Sequence, residues 1–158
     1  MDAELEELYQ QILLDHSKRP RNFGEIAGEA VRVHGDNPSC GDEIHLQVRF
    51  GAGGGVEEVK FTGQGCAISQ ASASLMTTKL KGKSREEALA MLAAFQDLVT
   101  KEVPDPPRFL GDLRLMQGVR KFPQRVKCAT LAWRAFEQAV QTADAAGAAP
   151  GEAGVSTE

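Results

Sequence analysis

The sequence predicts an α+β fold, a three-stranded antiparallel sheet with helices packed on it. Period-two alternation dominates residues 30–61, with turn residues between the alternating runs. Helical spacing dominates the segments before and after it. A chain of 158 residues with 42% hydrophobic content is also long enough to bury one core. The domain is expected over residues 1–142. Residues 143–158, ADAAGAAPGEAGVSTE, hold almost no large apolar side chain and are expected to be a disordered tail.

In order, Leu5, Leu8, Tyr9, Ile12 and Leu13 follow amphipathic helical spacing, with Asp2 as N-cap. The helix should stop near Asp15-His16, because Lys18-Arg19-Pro20-Arg21-Asn22 continues it poorly. His16 and Asn22 read as surface turn residues, with a partner contact through this basic turn as the alternative. Ala30 to His34 predicts a first strand, and Asp36-Asn37-Pro38-Ser39 a turn. Ile44, Leu46, Val48 and Phe50 alternate with His45, Gln47 and Arg49, the pattern of a strand buried on one face. Gly51 to Gly55 is a hairpin loop, and Val56 to Phe61 returns with a break in alternation that suggests a bulge.

Gly63-Gln64-Gly65 then punctuates the sheet. Ile68, Ala71, Ser72, Leu75 and Met76 predict a helix with a small-residue face suited to packing on the sheet, ending at Gly82. Ser84 and Glu87 make a capping box for the next helix, whose apolar side is Leu89, Leu92, Phe95 and Val99. Val103-Pro104-Asp105-Pro106-Pro107 opens an irregular or short-helical stretch up to about Pro123. A last helix carries Ala129, Ala132, Trp133, Phe136 and Val140 on its core face.

Charge and composition exclude several classes. A net charge of −4 offers no basic surface for nucleic acid, and the pairs Arg19/Arg21 and Arg120/Lys121 are too short to supply one. No apolar run reaches the ~18 residues of a membrane span. The acidic N-terminus lacks a signal pattern, so a cytoplasmic protein is expected. Gly82-Lys83-Ser84 resembles the end of a phosphate loop, but Thr77 stands where its first glycine belongs. Gly51 to Gly55 leads into a strand and is no dinucleotide fingerprint.

Chemistry concentrates at three cysteines, an odd number that rules out a complete internal disulfide framework. Cys40-Gly41-Asp42 joins a soft ligand, a hinge and a hard ligand within one turn. Cys66 and Cys128 each open an apolar helical segment, where free N–H groups and the helix dipole should ease thiol ionisation. Arg125 and Lys127 add positive charge beside Cys128. Three thiolates and a carboxylate form a tetrahedral set acceptable to zinc, and thiolates equally suit an iron–sulfur cluster. No Cys-x-x-Cys pair is present, so spacing leaves three readings open: a shared metal site, unrelated buried cysteines, or one nucleophilic cysteine. His34 and His45 are further ligand candidates that read more simply as strand or turn residues. A Cys-His hydrolase is disfavoured, since no histidine neighbours a cysteine.

From about Leu5 to Val140 the chain resembles the U-type iron–sulfur cluster assembly proteins, the IscU/NifU N-terminal family with its SufE/NifU-like fold. The resemblance is carried by Leu8-Tyr9 through Asp15-His16 with Pro20-Arg21-Asn22, by Asn37-Pro38-Ser39-Cys40-Gly41-Asp42, by Gly63-Gln64-Gly65-Cys66-Ala67-Ile68-Ser69, and by Lys127-Cys128-Ala129. Within the family it looks like the SufU branch. Lys127 stands where IscU proteins carry a histidine, and Val119 to Lys127 lacks their Leu-Pro-Pro-Val-Lys chaperone motif, which counts against docking of an Hsp70-type chaperone. The stretch from Pro104 to Gly118 matches the SufU insertion.

The resemblance implies a metal site of Cys40, Asp42, Cys66 and Cys128, commonly filled by zinc, with a transient [2Fe-2S] cluster on Cys40, Cys66 and Cys128. It implies a zinc-dependent sulfurtransferase in which Cys40 accepts persulfide sulfur from a SufS-like cysteine desulfurase once partner binding displaces a ligand. Arg125 would stabilise the released or persulfidated thiolate. A downstream cluster acceptor or SUF assembly complex would be the second partner. The alternatives are a passive scaffold for the cluster, with zinc a placeholder, and a purely structural zinc protein.

Overall fold

The computed structural model describes the backbone of residues 3–145 and 152–157. Helix α1 (Ala3–Lys18) leads through an irregular segment into strands β1 (Val31–Asn37), β2 (Asp42–Phe50) and β3 (Val56–Gln64). Helices α2 (Ala67–Leu80) and α3 (Arg85–Thr100) follow, then a 3₁₀ segment (Arg108–Lys121), helix α4 (Pro123–Ala145) and strand β4 (Glu152–Ser156). The α+β class and the antiparallel meander are as expected. The expected Asp2 cap and the apolar face at Leu5, Leu8 and Tyr9 lie outside the described residues and side chains.

The sheet has four strands in the order β3-β2-β1-β4, which corrects the expected three. β4 runs parallel to β1, pairing Arg32 with Glu152 and Asp36 with Ser156. The tail is therefore not disordered at 152–156, and Ala143 still belongs to α4, where it is buried. The physical reason is the free edge of β1, whose unpaired backbone groups accept a strand of almost any composition. Val155 seals the addition by packing at Gly35 beside Leu131. The remaining tail residues, 146–151, lie outside the described ones.

Strand register explains the buried face. Val33 opposes Leu46, and Leu46 opposes Phe61, so the three layers of one apolar stripe coincide. The expected bulge falls at Arg49/Phe50, where Phe50 pairs with Val56. The extra residue lets Val56 and Val59, three apart, both turn inward. Helix α4 crosses this face, with Trp133 fully buried and stacked 4.6 Å from Phe95 of α3.

Helix α2 departs from expectation. Its small residues Ala71, Ser72, Ala73 and Ser74 are all buried, so it is enclosed on nearly every side, mainly between α1 and α4, and not laid on the sheet. Serines in such a helix need partners, and they have them. Ser72 Oγ donates to Ala129 O (2.5 Å) and accepts from Trp133 Nε1 (3.2 Å). Ser74 Oγ accepts from Arg21 N (2.8 Å) and lies 2.7 Å from His16 Nδ1.

His16 is consequently not a surface turn residue, while Asn22 does lie in a turn but is not fully exposed. α1 continues past the expected stop at Asp15-His16 to Lys18, which carries His16 onto α2, where it is buried. Asn22 is half-buried with φ +56° and donates from Nδ2 to Thr77 Oγ1 (3.0 Å). The capping box of α3 forms as expected, Ser84 and Glu87 each satisfying the other's backbone N–H. No helix among the described residues is long and apolar enough to cross a membrane.

Candidate metal centre

The site lies where the β1–β2 turn meets the starts of α2 and α4. Pro38 presets the turn: Cys40 N donates back to Asn37 O (3.2 Å), and Gly41 follows at φ +71°. That left-handed residue returns the chain so abruptly that Cys40, half-buried on the turn, and Asp42, buried as the first residue of β2, face one point. Cys128 reaches the same point from α4. Ligand atoms of Cys40, Asp42 and Cys128 all lie within 4.8 Å of one another.

Cys66 stands beside them as the N-cap of α2. Its thiol accepts from Ser69 N (3.5 Å) and its own N–H donates to Asp42 Oδ1 (2.8 Å). The structure thus gathers Cys40, Asp42 and Cys128 tightly and holds Cys66 beside them through Asp42. Gly65 makes this approach feasible: a Cβ there would stand 2.4 Å from Asp42 Oδ1. Sequence reading treated Gly65 only as punctuation.

Asn37 was also missed as a site residue. It is fully buried, and its Nδ2 donates to Asp42 Oδ2 (3.2 Å) and Cys128 Sγ (3.6 Å). Its Oδ1 is buried with no donor. No local signal marked it, because its role is a contact to Cys128, far away in sequence.

One expectation about ionisation is corrected. Cys66 does cap a helix, but α4 begins at Pro123, so Cys128 lies inside it and its thiol faces Gln124 O (3.6 Å) instead of receiving free N–H groups. Burial pushes the Cys128 thiol well above its ordinary pKa, and Asp42, Cys40 and Cys66 push it further. Ionising thiols beside a carboxylate in one low-dielectric spot is costly without a cation, which is the condition a divalent metal relieves. Arg125 supplies part of that charge: its guanidinium faces Cys128 and feels Cys66 and Cys40, which raises its pKa. The side chain itself is exposed.

A family model, the NifU-like N terminal domain, matches residues 8–143. The chain belongs to this family. It is 47% identical over 139 residues to the zinc-dependent sulfurtransferase SufU of Bacillus subtilis, covering 88% of this chain and 93% of that one. It is 45% identical over 140 residues to the iron–sulfur cluster assembly scaffold protein IscU of Streptococcus pyogenes, covering 88% and 86%. Among solved structures, a putative iron–sulfur cluster assembly scaffold protein for the SUF system from Fervidobacterium islandicum superposes with a TM-score of 0.76 at 36% identity, over 85% of this chain and 97% of that one. The resemblance read from the motifs is thereby confirmed. In this NifU-like domain the histidines stand apart from the thiols: His34 and His45 lie on the exposed face of the sheet.

Proposed function

We propose that this chain is an iron–sulfur cluster assembly protein that accepts persulfide sulfur on Cys40 from a cysteine desulfurase. Zinc would be held by Cys40, Asp42, Cys66 and Cys128, and the sulfur passed on to a downstream assembly complex. The observation that carries the reading is the convergence of Cys40, Asp42 and Cys128 within 4.8 Å, with Cys66 tied to Asp42. Sequence identity of 47% to a protein named a zinc-dependent sulfurtransferase supports it. Two soft donors and a hard one at such separations, with a third thiol adjacent as fourth ligand, suit a tetrahedral ion with bonds of about 2.0–2.3 Å. Bound zinc would keep these thiols deprotonated at neutral pH.

The chain's own residues then divide the work. Asp42, Cys66 and Cys128 are fixed by a strand, a helix cap and a helix, so they hold position. Cys40 rides on the glycine-hinged turn and is half-exposed, which makes it the ligand free to leave and react. Its thiolate Sγ attacks the terminal sulfur of the desulfurase persulfide, forming a new S–S bond. The donor's own S–S bond breaks, and its electron pair stays on the desulfurase cysteine as thiolate. Arg125, facing the thiols, steadies the negative charge on Cys40 before and after transfer.

A second reading has its own support, the 45% identity to a protein named a scaffold. There the same thiols would hold a [2Fe-2S] cluster as cargo. The two separate in one experiment: desulfurase turnover with zinc-loaded and metal-free protein, the latter also given ferrous iron anaerobically. Higher turnover only with the zinc form, lost in Cys40→Ala, with one extra sulfur on Cys40 by mass spectrometry, is the expected result. A stable cluster on the metal-free form, with no turnover difference, would favour the scaffold.

A further inference from the structure

Asp42 and Glu43 are neighbours in β2 but point to opposite faces of the sheet, Asp42 into the thiol cluster and Glu43 outward. On that outer face β1 and β2 place His34 and His45 directly opposite each other. Their rings stack with centroids 4.7 Å apart and planes 23° from parallel. Glu43, two residues before His45, lies on the same face. Its Oε1 sits 3.2 Å from His34 Nε2 and 2.9 Å from His45 Nε2. The three ligand atoms lie within 4.8 Å of one another.

We propose that His34, Glu43 and His45 form a second metal site, for a divalent transition ion of the zinc, cobalt or nickel class. The geometry carries the argument. Ligand atoms around a tetrahedral ion with bonds of ~2.0–2.1 Å stand about 3.3–3.4 Å apart, and the two imidazole–carboxylate separations are already within half an ångström of that. Two imidazoles and a carboxylate are the donor set such ions prefer over magnesium or calcium. Three protein ligands on a half-exposed surface leave the remaining position to water, the arrangement of an open site.

Strand register supplies the preorganisation. A directly opposed cross-strand pair keeps its spacing without help from loops, and the stacked rings hold each other's orientation. Arg32, two residues before His34 on β1, directs its guanidinium to Gly28 O (3.3 Å) and Ala30 O (3.5 Å) and makes no ion pair with Glu43. The site is independent of the sulfur reading: it shares no ligand with the thiol cluster and would stand if Cys40 carried no sulfur.

The test uses the full chain with its thiol site already filled by zinc, titrated with Co²⁺ and followed by visible absorption and calorimetry. One further equivalent is expected, with weak d–d bands and no added thiolate charge transfer. His34→Gln and His45→Gln should each weaken that binding at least tenfold while leaving the zinc content of the first site unchanged. Absence of a further equivalent at millimolar Co²⁺ overturns the proposal. So does a further equivalent that survives both substitutions, or a spectrum showing only thiolate charge transfer.

Discussion

His16 sits near the C-terminal end of α1 with Nδ1 2.7 Å from Ser74 Oγ, and the same oxygen already accepts from Arg21 N. The chain of bonds closes if Ser74 Oγ–H donates to an unprotonated Nδ1. Burial lowers the His16 pKa from 6.5, the Arg21 charge lowers it further, and Asp15 and Asp112 only partly offset them. A histidine with a depressed folded pKa binds fewer protons folded than unfolded, so stability rises with pH in the window between the two values. Its contribution is complete above the unfolded value of about 6.5 and is lost as pH falls towards the folded one. The stability difference between wild type and His16→Gln, from urea midpoints of metal-free protein, should therefore shrink or reverse between pH 7.5 and 5.5. A difference that stays constant with pH would show that the His16 pKa is the same in the folded and unfolded chain. Its burial was not legible, because nothing local distinguishes a turn histidine from one carried inward by a helix that runs on past its apolar pattern to Lys18. Residue types marked Cys40, Asp42, Cys66 and Cys128 as candidates but left three readings open, and only the family motifs grouped them. Asn37 and Gly65 were not legible: their roles are a contact to a distant side chain and the space left for one.

Elements show the same division between local and borrowed order. The capping box and Gly82 marked α3 and the end of α2 correctly, because a cap satisfies backbone groups a few residues away. β4 left no such mark, since its order comes from the edge of β1 and from contacts at Gly35 and Lys127. The 3₁₀ segment lies between these cases. Leu110, Leu113, Met116 and Val119 are its buried residues, one at every third position. That is the repeat of a helix with 3.0 residues per turn, here kinked at Gly111 and packed chiefly on α3. The period was present in the sequence but fits neither an α-helix nor a strand. The segment is held by these side chains, so Leu113→Ala should cost roughly 2–5 kcal/mol, as for other fully buried leucines. Exposed Gln117→Ala should stay within about 0.5 kcal/mol. Chemical denaturation compares the two, and equal, small losses would mean that the segment is a loose surface loop.

At the scale of the molecule, the thiol cluster is a seam. It joins the sheet through Asp42, α2 through Cys66 and α4 through Cys128. The core does not depend on that seam: Leu46, Phe61, Leu75, Phe95, Trp133 and Phe136 are fully buried between sheet and helices and none is a ligand. A metal held there by mass action adds stability without creating the fold, about 2.7 kcal/mol at a free concentration a hundred times Kd. For a chain of this size each kcal/mol moves Tm by roughly 2–4 °C. Stripping zinc with a chelator should therefore lower Tm by about 5–11 °C while calorimetry still shows one cooperative transition. A small zinc domain behaves differently, since its metal binding energy is its folding energy and the chelated form is unfolded. An unfolded metal-free protein would make the zinc structural and remove the case for Cys40 as a releasable ligand. No change in Tm at all would mean that the cluster binds no zinc. An intermediate shift, with the fold intact, is what a site must show if one of its ligands is to leave and return while the other three hold.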